Sequence, residues 1–281
     1  MLIFQDIYNL QSHLNNLKNN GSVIGYIPTM GALHDGHLSL VKQSILKTDF
    51  TVVSIFVNPT QFNSSDDFKT YPSDIEKDIN LLESISNEII LFHPDLDQIY
   101  SEEIKLDDFN FNGLDKYMEG KFRKDHFLGV ATVVNKLFSI IKAHYVFFGE
   151  KDFQQLRIIE NLISEKKFKV KLIRCETIRS NEGLALSSRN RKLNFSSKKI
   201  ATNLYKALNF AKEKIDILSI DEIKKKIALN LSNFSEIKLE YFVIANEKNL
   251  KPIKKKQTQK CRAFIAAFIS GVRLIDNIKL Y

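Results

Sequence analysis

Two histidines, His34 and His37, are the residues of this chain best suited to chemistry on an anion. They share the stretch PTMGALHDGH, which covers residues 28–37. Imidazole donates hydrogen bonds to phosphate oxygens, and it does so more strongly when it is protonated. The same spacing could form half of a zinc site, but both cysteines lie far away and no third ligand is spaced to join it. Ordinary polar surface is the other alternative, because a lone HxGH pattern is short.

A strand, a turn and a helix are predicted to position the two histidines. The apolar run at residues 23–27 predicts a buried strand, which Pro28 and Gly31 break. Beyond the turn, Leu38, Val41 and Ile45 recur at helical spacing. Such a corner points free backbone N–H groups and the positive end of a helix dipole at a bound group, most often a phosphate. The small residues that would let a nucleotide approach this backbone are Gly31, Ala32 and Gly36.

A second polar turn, GEKD at residues 149–152, follows the strand predicted at residues 145–148. Gly149 is expected to permit a tight turn, and Asp152 to cap the helix that follows. Lys151 then lies at a helix start, where the dipole disfavours a cation, and this placement suggests a bound anion. A surface lysine that extends into solvent is the alternative.

Amide side chains lie near two of the predicted strand ends. Gln154 and Gln155 follow the GEKD turn, and their donors and acceptors suit a substrate with a carboxylate and hydroxyl groups. Asn58 and Gln61 follow the strand predicted at residues 51–57. These four side chains are therefore candidates for binding a polar substrate.

Hydroxyl and guanidinium groups are concentrated in LSSRNR, residues 186–191. Two serines and two arginines so close together suit a mobile phosphate clamp, and a position near a domain boundary favours a lid. An ordinary polar loop with solvated arginines is an equal alternative.

The charges of RKDHFLGV, residues 123–130, could contact a partner, a metal-bound phosphate or only water, and they decide nothing alone.

Helix and strand signals alternate through the first part of the chain. The nearly continuous β-branched run TVVSIFV, residues 51–57, predicts a strand buried on both faces of a parallel sheet. The alternation predicts a Rossmann-like, doubly wound α/β domain, assigned to residues 1–177. Ligands of such sheets bind at the carboxyl ends of the strands, which is where His34, Gln61 and residues 149–152 fall.

The pattern changes after residue 177, and residues 178–281 are predicted to form a smaller α+β lid domain. Two helices come first, and Ser219 with Glu222 forms a capping-box pair that opens the second of them. Strands joined by short connections follow, and they are expected to be antiparallel. These strands are expected at residues 239–245, 263–269 and 272–278.

Composition indicates a globular chain. Of its 281 residues, 44% are hydrophobic and 26% charged, and no apolar run reaches the roughly 18 residues of a membrane span. The opening MLIFQDIYNL carries no basic segment, which argues against a secretory signal.

Cys175 and Cys261 lie in apolar runs and are expected to be core residues in a reducing compartment. The net charge of +8 fits nucleic acid, an anionic substrate or only a lysine-rich composition, and residues 251–256 are expected to form a solvated basic loop.

Five segments of the chain resemble the pantothenate synthetase (pantoate–β-alanine ligase) family, within the HxGH nucleotidyltransferase superfamily. They are PTMGALHDGH, SIFVNPTQF, RKDHFLGVATVVNKLF, FFGEKDFQQ and LSSRNRKL. The final RLIDNI also resembles the carboxyl end of the family. Order and spacing match throughout, so the resemblance covers nearly the whole chain.

The resemblance implies a role for specific residues. His37 matches the proton donor of the family, and His34, Lys151 and Arg189 match its other catalytic positions. Gln61 matches a glutamine that binds both pantoate and β-alanine, with Asn58 beside it, and Gln155 matches a pantoate-binding glutamine. The implied ATP-binding residues are Met30, Gly31, Ala32, Leu33, His34, Asp35, Gly36, His37, Gly149, Glu150, Lys151, Asp152, Ile178, Leu186, Ser187, Ser188 and Arg189.

The implied reaction is the ATP-dependent condensation of pantoate with β-alanine to pantothenate, by way of pantoyl adenylate, with release of pyrophosphate and AMP. The resemblance also implies Mg²⁺ with ATP, a homodimer and a cytoplasmic location, whereas no protein ligand is assigned to the metal and no nucleic-acid or membrane partner is expected. An RNA-interacting member of the same superfamily is the alternative function, because the isoelectric point is about 9.2. A non-catalytic nucleotide sensor is a further one.

The sequence departs from the family at a few positions. Leu186 replaces a common methionine, which conserves volume, and Ile178 replaces a valine, which is a mild change. Arg179 and Ser180 stand where Arg-Glu is usual. The loop Asn63–Asp67 is more polar than the common glycine-rich version.

Overall fold

The computed structural model describes residues 1–62, 68–100, 104–255 and 260–281. The chain divides into two compact units, each of which draws on separate stretches of sequence. The first unit comprises Met1–Phe111, Arg123–Glu150 and Gln155–Glu176. The second unit comprises Asn112–Phe122, Lys151–Gln154 and Thr177–Tyr281. The predicted boundary at residue 177 remains a prediction.

The first unit is built on a six-stranded sheet in which every neighbouring pair of strands is parallel. Its strands are β1 Leu2–Phe4, β2 Ile24–Thr29, β3 Phe50–Ile55, β4 Ile90–Phe92, β5 Tyr145–Gly149 and β6 Lys171–Cys175. The two central strands β2 and β3 are almost entirely buried, as expected for strands that are covered on both faces.

Helices follow most of these strands. They are α1 Ile7–Asn19, α2 Asp35–Ile45, α3 Ile75–Glu83, α4 Leu96–Ile99, α6 His126–Ile141 and α7 Phe153–Glu165, whereas α5 Met118–Phe122 belongs to the second unit. Short 3₁₀ turns lie at Pro59–Gln61, Glu150–Asp152 and Ser188–Lys192. Among the described residues, none of these helices is both long and apolar enough to cross a membrane.

The strand order of this sheet is β1-β4-β3-β2-β5-β6. From β2 the chain moves in one direction to β3 and β4, and it then crosses back to place β5 and β6 on the other side of β2. The connections therefore diverge between β2 and β5, which creates a crevice at the carboxyl ends of these two strands. This arrangement confirms the doubly wound fold and shows where a ligand of such a sheet is expected.

The second unit contains a separate antiparallel sheet with the order β7-β8-β9. Its regular elements are α8 Phe195–Lys214, α9 Ile220–Ser232, β7 Ile237–Asn246, β8 Cys261–Ile269 and β9 Val272–Lys279. Apolar side chains of both helices and of the sheet form one core cluster. The predicted capping box is confirmed, because the Ser219 side chain accepts from the Glu222 N–H and the Glu222 carboxylate accepts from the Ser219 N–H.

A buried carboxylate fastens α5 to this second sheet. Arg273 of β9 donates from its two terminal nitrogens to the two oxygens of Glu119, at 2.7 Å each. The Tyr241 hydroxyl of β7 donates to the same carboxylate at 2.8 Å. Burial, and then the Glu119 charge, raise the pKa of Tyr241 well above its ordinary value, so this hydroxyl keeps its proton. These bonds explain why residues 112–122 belong to the second unit.

Some elements differ from the sequence expectation. The sequence does not predict the three-residue strand β1, because so short a run shows no alternation. Helix α6 begins at His126, inside the segment RKDHFLGV, and its N-cap Asp125 has a left-handed conformation. The polar loop Asn63–Asp67 and part of the basic run at residues 251–256 lie outside the described residues.

Candidate active site

Strand β2 ends in the turn that carries both candidate histidines. Thr29, its last residue, donates from Oγ1 to the Ser54 carbonyl at 2.8 Å and accepts from the Gly31 N–H at 3.2 Å. Asp78 of α3 is 1% exposed, and its Oδ1 accepts from the Leu33 N–H at 2.8 Å. Side chains from two neighbouring elements thus fix the backbone of the turn. Sequence reasoning missed Asp78, because its partner lies 45 positions away and no local pattern links them.

Gly31 is required by the geometry of this turn. Its φ is +74°, and a Cβ at this position would lie 2.9 Å from Asp78 Oδ2 and 3.1 Å from Ile55 Cγ2. Ala32 also has a positive φ, of 51°, and its side chain is buried. The fold of the turn therefore accounts for the small side chains at Gly31 and Ala32. The approach of a nucleotide to this backbone remains a prediction.

His34 and His37 lie together at the amino terminus of α2. His34 is the N-cap of the helix, and its Nδ1 accepts from the Gly36 N–H at 3.1 Å. This bond leaves Nε2 as the nitrogen of His34 that carries the proton. The two imidazole rings are 4.1 Å apart, centroid to centroid, and both residues are partly exposed. Two imidazoles at a helix amino terminus form a suitable site for an anion.

The turn after β3 is organised by Asn58, which is 1% exposed. Its Oδ1 accepts from the Tyr100 hydroxyl at 2.8 Å and from the Thr60 hydroxyl at 3.0 Å. Its Nδ2 donates to Gln61 Oε1 at 3.2 Å and to the Gly129 carbonyl at 3.1 Å. Both the oxygen and the nitrogen of the Asn58 amide thus bind protein groups. One of these groups is the Gln61 side chain, which Asn58 holds in place.

Gln61 connects the turn after β3 with the turn after β2. Its Nε2 lies 2.6 Å from Sδ of Met30, the residue that follows β2. Its carbonyl accepts from His126 Nδ1 at 2.8 Å and from Arg123 Nη2 at 3.3 Å. Met30 and Gln61 are therefore brought together, although they lie 31 positions apart in the sequence.

The polar segment ahead of α6 contributes to this turn. His126 is 5% exposed, and its Nε2 lies 3.0 Å from Arg123 Nη1. Arginine can only donate and a carbonyl can only accept, so Nδ1 of His126 carries the proton and Nε2 is the acceptor. His126 is accordingly neutral in this arrangement. The charges of RKDHFLGV, which decide nothing in the sequence alone, thus serve in part to fix the Gln61 backbone.

The turn after β5 follows Gly149, the last residue of that strand. The φ of Gly149 is not positive, and no atom lies within 4 Å of the position that its Cβ would occupy. A tight 3₁₀ turn does follow at Glu150–Asp152, but it does not depend on a positive φ at Gly149, so other residues could adopt this backbone. What the glycine provides is open space at the carboxyl end of β5.

Lys151 follows in the 3₁₀ turn Glu150–Asp152. Its Nζ lies 3.1 Å from Asp152 Oδ1, and the two side chains are 19% and 45% exposed. The neighbouring carboxylate offsets the unfavourable position of the cation at a helix start. The pair is partly buried and joins adjacent residues of the chain.

Gln154 and Gln155 lie side by side at the start of α7 but differ in environment. Gln154 is 4% exposed, and its Nε2 donates to the carbonyls of Leu114 and Tyr117 at 2.8 Å each. Its Oε1 accepts from the Glu119 N–H at 2.9 Å. The suggestion that Gln154 offers its amide to a substrate is therefore wrong, since the backbone of residues 114–119 occupies it. Gln155 is partly exposed.

The remaining predicted ATP-binding residues belong to the second unit. Ile178 and Leu186 close a short hairpin, in which the Leu186 N–H donates to the Ile178 carbonyl at 3.0 Å. Ser187 caps the 3₁₀ turn that follows, where its Oγ accepts from the Arg189 N–H at 3.3 Å. Ser188 is buried and Arg189 is partly exposed. The segment is therefore an ordered turn in this structure, and its role as a phosphate clamp remains a prediction.

Comparisons with known proteins agree with one another. The family model described as pantoate-beta-alanine ligase matches residues 2–279. A pantothenate synthetase of Christiangramia forsetii is 44% identical over 100% of this chain and 99% of its own length. One of Flavobacterium psychrophilum is 42% identical over the full length of both chains.

Two solved structures are similar over nearly their whole length. A pantothenate synthetase from Thermus thermophilus matches with a TM-score of 0.91 and 33% identity, over 100% of both chains. A pantoate-beta-alanine ligase from Francisella tularensis, complexed with beta-gamma ATP and beta-alanine, matches with a TM-score of 0.82 and 36% identity, over 100% of this chain and 98% of that one. The family model and the identities lead to one conclusion: this chain belongs to the pantoate–β-alanine ligase family.

Proposed function

We propose that this chain joins pantoate to β-alanine through pantoyl adenylate, consuming ATP and releasing pyrophosphate and AMP. The observation that carries the proposal is the contact between Met30 and Gln61. It joins the turn with both histidines, which suits phosphate, to an amide side chain that suits a carboxylic substrate. Family membership and the ATP and beta-alanine named for the Francisella tularensis relative support the same chemistry. The comparisons do not favour the RNA-interacting alternative.

In the first proposed step a carboxylate oxygen of pantoate attacks the α-phosphorus of ATP. The bond from that phosphorus to the bridging oxygen breaks, and pyrophosphate leaves with the electron pair. His37 and Nε2 of His34 donate to phosphate oxygens on which negative charge builds up. Lys151 and Arg189 act as cations on the same phosphates, with Ser187 and Ser188 as donors. Electrostatic stabilisation of this kind is commonly the largest single contribution to catalysis.

In the second proposed step the amine of β-alanine attacks the acyl carbon of the adenylate. The carbon–oxygen bond to AMP breaks, the amine gives up a proton, and pantothenate is formed. Gln61 and Gln155 hold pantoate through both steps, and Asn58 keeps Gln61 in place. The protein contributes by positioning the reactants, because a misplacement of about 1 Å can cost about a hundredfold in rate.

Neither cysteine is suited to act as a covalent nucleophile. Cys175 and Cys261 are both buried, and burial raises the pKa of each thiol to about 11. At neutral pH such thiols stay protonated, and the thiolate is the nucleophilic form. The intermediate that this site favours is therefore an adenylate that is bound through non-covalent contacts and has no covalent bond to the protein.

Magnesium is proposed to arrive bound to ATP. Within residues 1–62, 68–100, 104–255 and 260–281, no group of three or more His, Cys, Asp or Glu side chains could hold a metal ion. Mg²⁺ usually keeps several waters and binds through substrate phosphates and one or two carboxylates, so it can be carried by the nucleotide. The metal would neutralise charge on the phosphates. A homodimer and a cytoplasmic location are further parts of the proposal.

Exchange of labelled pyrophosphate into ATP, with β-alanine omitted, tests the proposed function. We expect exchange that requires pantoate, because adenylation comes before the amine acts. Lys151→Ala should abolish exchange, whereas Lys169→Ala, which removes an exposed lysine elsewhere in the chain, should leave it unchanged. Label that enters ATP only when β-alanine is added would refute the two-step reaction. Absence of AMP formation with all three substrates would refute the function itself.

A further inference from the structure

Two adjacent polar residues of β9, Asp276 and Asn277, are almost completely buried in the second unit. They are 5% and 4% exposed, and they form the centre of the RLIDNI segment, to which the proposed function assigns no role. Buried polar side chains at neighbouring positions of one strand point to opposite faces of the sheet, so each must have its own partners.

Asp276 binds the hairpin that carries Ile178 and Leu186. Arg179 donates from Nη1 to Asp276 Oδ2 at 2.6 Å and from Nη2 to Oδ1 at 2.8 Å. The same guanidinium donates to the Gly183 carbonyl at 3.1 Å, which lies on the far side of the hairpin. Asp276 therefore fixes both arms of the hairpin through one bidentate ion pair.

Asn277 binds the backbone of Lys151. Its Nδ2 donates to the Lys151 carbonyl at 2.8 Å, across 126 positions of sequence. Its Oδ1 accepts from Arg262 Nη1 at 2.5 Å, and Arg262 is in turn paired with Glu247 at 2.9 Å. The Asn277 amide is thus held from one side and holds Lys151 on the other.

We propose that Asp276 and Asn277 are positioning residues for nucleotide binding, because together they set the hairpin Ile178–Leu186 and the Lys151 backbone. This inference rests on the proposed function, which gives these segments their contacts with ATP. A buried ion pair is a poor source of stability, since apolar residues of similar volume often do as well. What a bidentate pair with a buried carboxylate provides instead is a fixed geometry, which ATP-binding segments require.

Two nearly isosteric variants separate positioning from folding. Asp276→Asn keeps the size of the side chain but removes the charge that faces Arg179. Asn277→Asp keeps an acceptor for Arg262 and replaces the donor to the Lys151 carbonyl with an oxygen. Glu240→Gln is the matched control, because Glu240 of β7 pairs with Arg273, a residue of β9 like Asp276 and Asn277, and the bonds of Glu240 go to neither ATP-binding segment. Each variant is compared with the wild-type chain in unfolding midpoint, kcat of pyrophosphate exchange, KM for ATP, KM for pantoate and affinity for a non-hydrolysable ATP analogue.

We expect Asp276→Asn to raise the KM for ATP and the dissociation constant of the analogue by about tenfold or more, while the KM for pantoate changes by less than about twofold. Asn277→Asp should lower the kcat of pyrophosphate exchange by about tenfold, because Lys151 acts on the phosphates. Glu240→Gln should lower the unfolding midpoint and leave both KM values unchanged.

Other results would overturn the inference. The inference is overturned if both variants fold and bind ATP like the wild type. It is also overturned if the KM for pantoate rises as much as the KM for ATP. The control variant could also weaken ATP binding equally, which would mark a general loss of structure. If Asp276→Asn fails to fold, Asn277→Asp alone decides, because it keeps the contact with Arg262. If the wild type binds the analogue but forms no pantothenate, the proposed function fails, and the binding measurement still tests the positioning role.

Discussion

The surroundings of Gly129 in α6 predict that its replacement by alanine has an unusual effect on stability. Replacing a helical glycine with alanine normally stabilises a helix, by about 1 kcal/mol. At this position, however, a Cβ would lie 2.3 Å from the Thr60 carbonyl oxygen and 2.9 Å from the Gln61 nitrogen, both of which are backbone atoms. An ordinary contact begins at 3.4 Å, so the helix and the turn must separate by about 1 Å.

The expected cost of Gly129→Ala follows from these contacts. Overpacking of this kind costs about 1–3 kcal/mol, and loss of the bond from Asn58 to the Gly129 carbonyl adds about 1 kcal/mol. After the gain in helix propensity, the variant should be less stable by about 1–3 kcal/mol. Displacement of Gln61 should also lower kcat/KM for pantoate by about tenfold to a hundredfold.

Urea denaturation and initial rates at varied pantoate and ATP check this prediction. Ser139→Ala is the control, because Ser139 is exposed on the same helix and its replacement should change stability by less than about 0.5 kcal/mol. A Gly129→Ala protein that is as stable as the wild type and keeps its KM for pantoate would show that α6 does not press on the turn. Gly149→Ala is a useful contrast: with open space around its Cβ it should keep its stability, and a raised KM for ATP would place the nucleotide there.

Three further predictions concern side chains of the candidate site and the cysteines. His37→Ala should lower the kcat of pyrophosphate exchange by about a hundredfold with an unchanged circular dichroism spectrum, and a folded variant with normal turnover would remove His37 from the mechanism. Gln61→Ala should raise the KM for pantoate by about tenfold or more, the equivalent of about 1.5–3 kcal/mol. An equal rise in the KM for ATP would show that Gln61 is wrongly assigned to the pantoate pocket. Since the thiol pKa of Cys175 and Cys261 is about 11, only about one thiol in a thousand is ionised near pH 8. A disulfide reagent should therefore label the native protein slowly and faster as the pH approaches 11, whereas rapid labelling of the native protein near pH 8 would contradict the burial of both thiols.

Sequence reasoning predicts the long elements because their signals are local. The β-branched run that forms β3 and the apolar spacing of α2 are each visible within one short window. The capping box of α9 is equally local, since its two residues lie three positions apart. Strand β1 gives no such signal, because three residues show no period.

The errors and omissions in the site arise from contacts between distant parts of the sequence. Gln154 suits a substrate by its residue type, but its partners come from residues 114–119, which no spacing rule connects to it. Gly149 precedes a tight turn, as its residue type suggests, but glycine identity alone does not fix φ. Asp78 and His126 support the predicted site through bonds to backbone groups that are distant in sequence, and such bonds leave no periodic signal.

The ion pair between Glu119 and Arg273 makes the order of synthesis matter for this protein. The two residues are 154 positions apart, so at about 5–20 residues per second the ribosome makes Arg273 roughly 8–30 s after Glu119. Until then the carboxylate has no guanidinium to compensate its burial, and burying an unpaired charge is costly. Helix α5 should therefore dock only after β9 has been made. Refolding of the complete chain avoids this delay, although it must still close the long loop between these two residues.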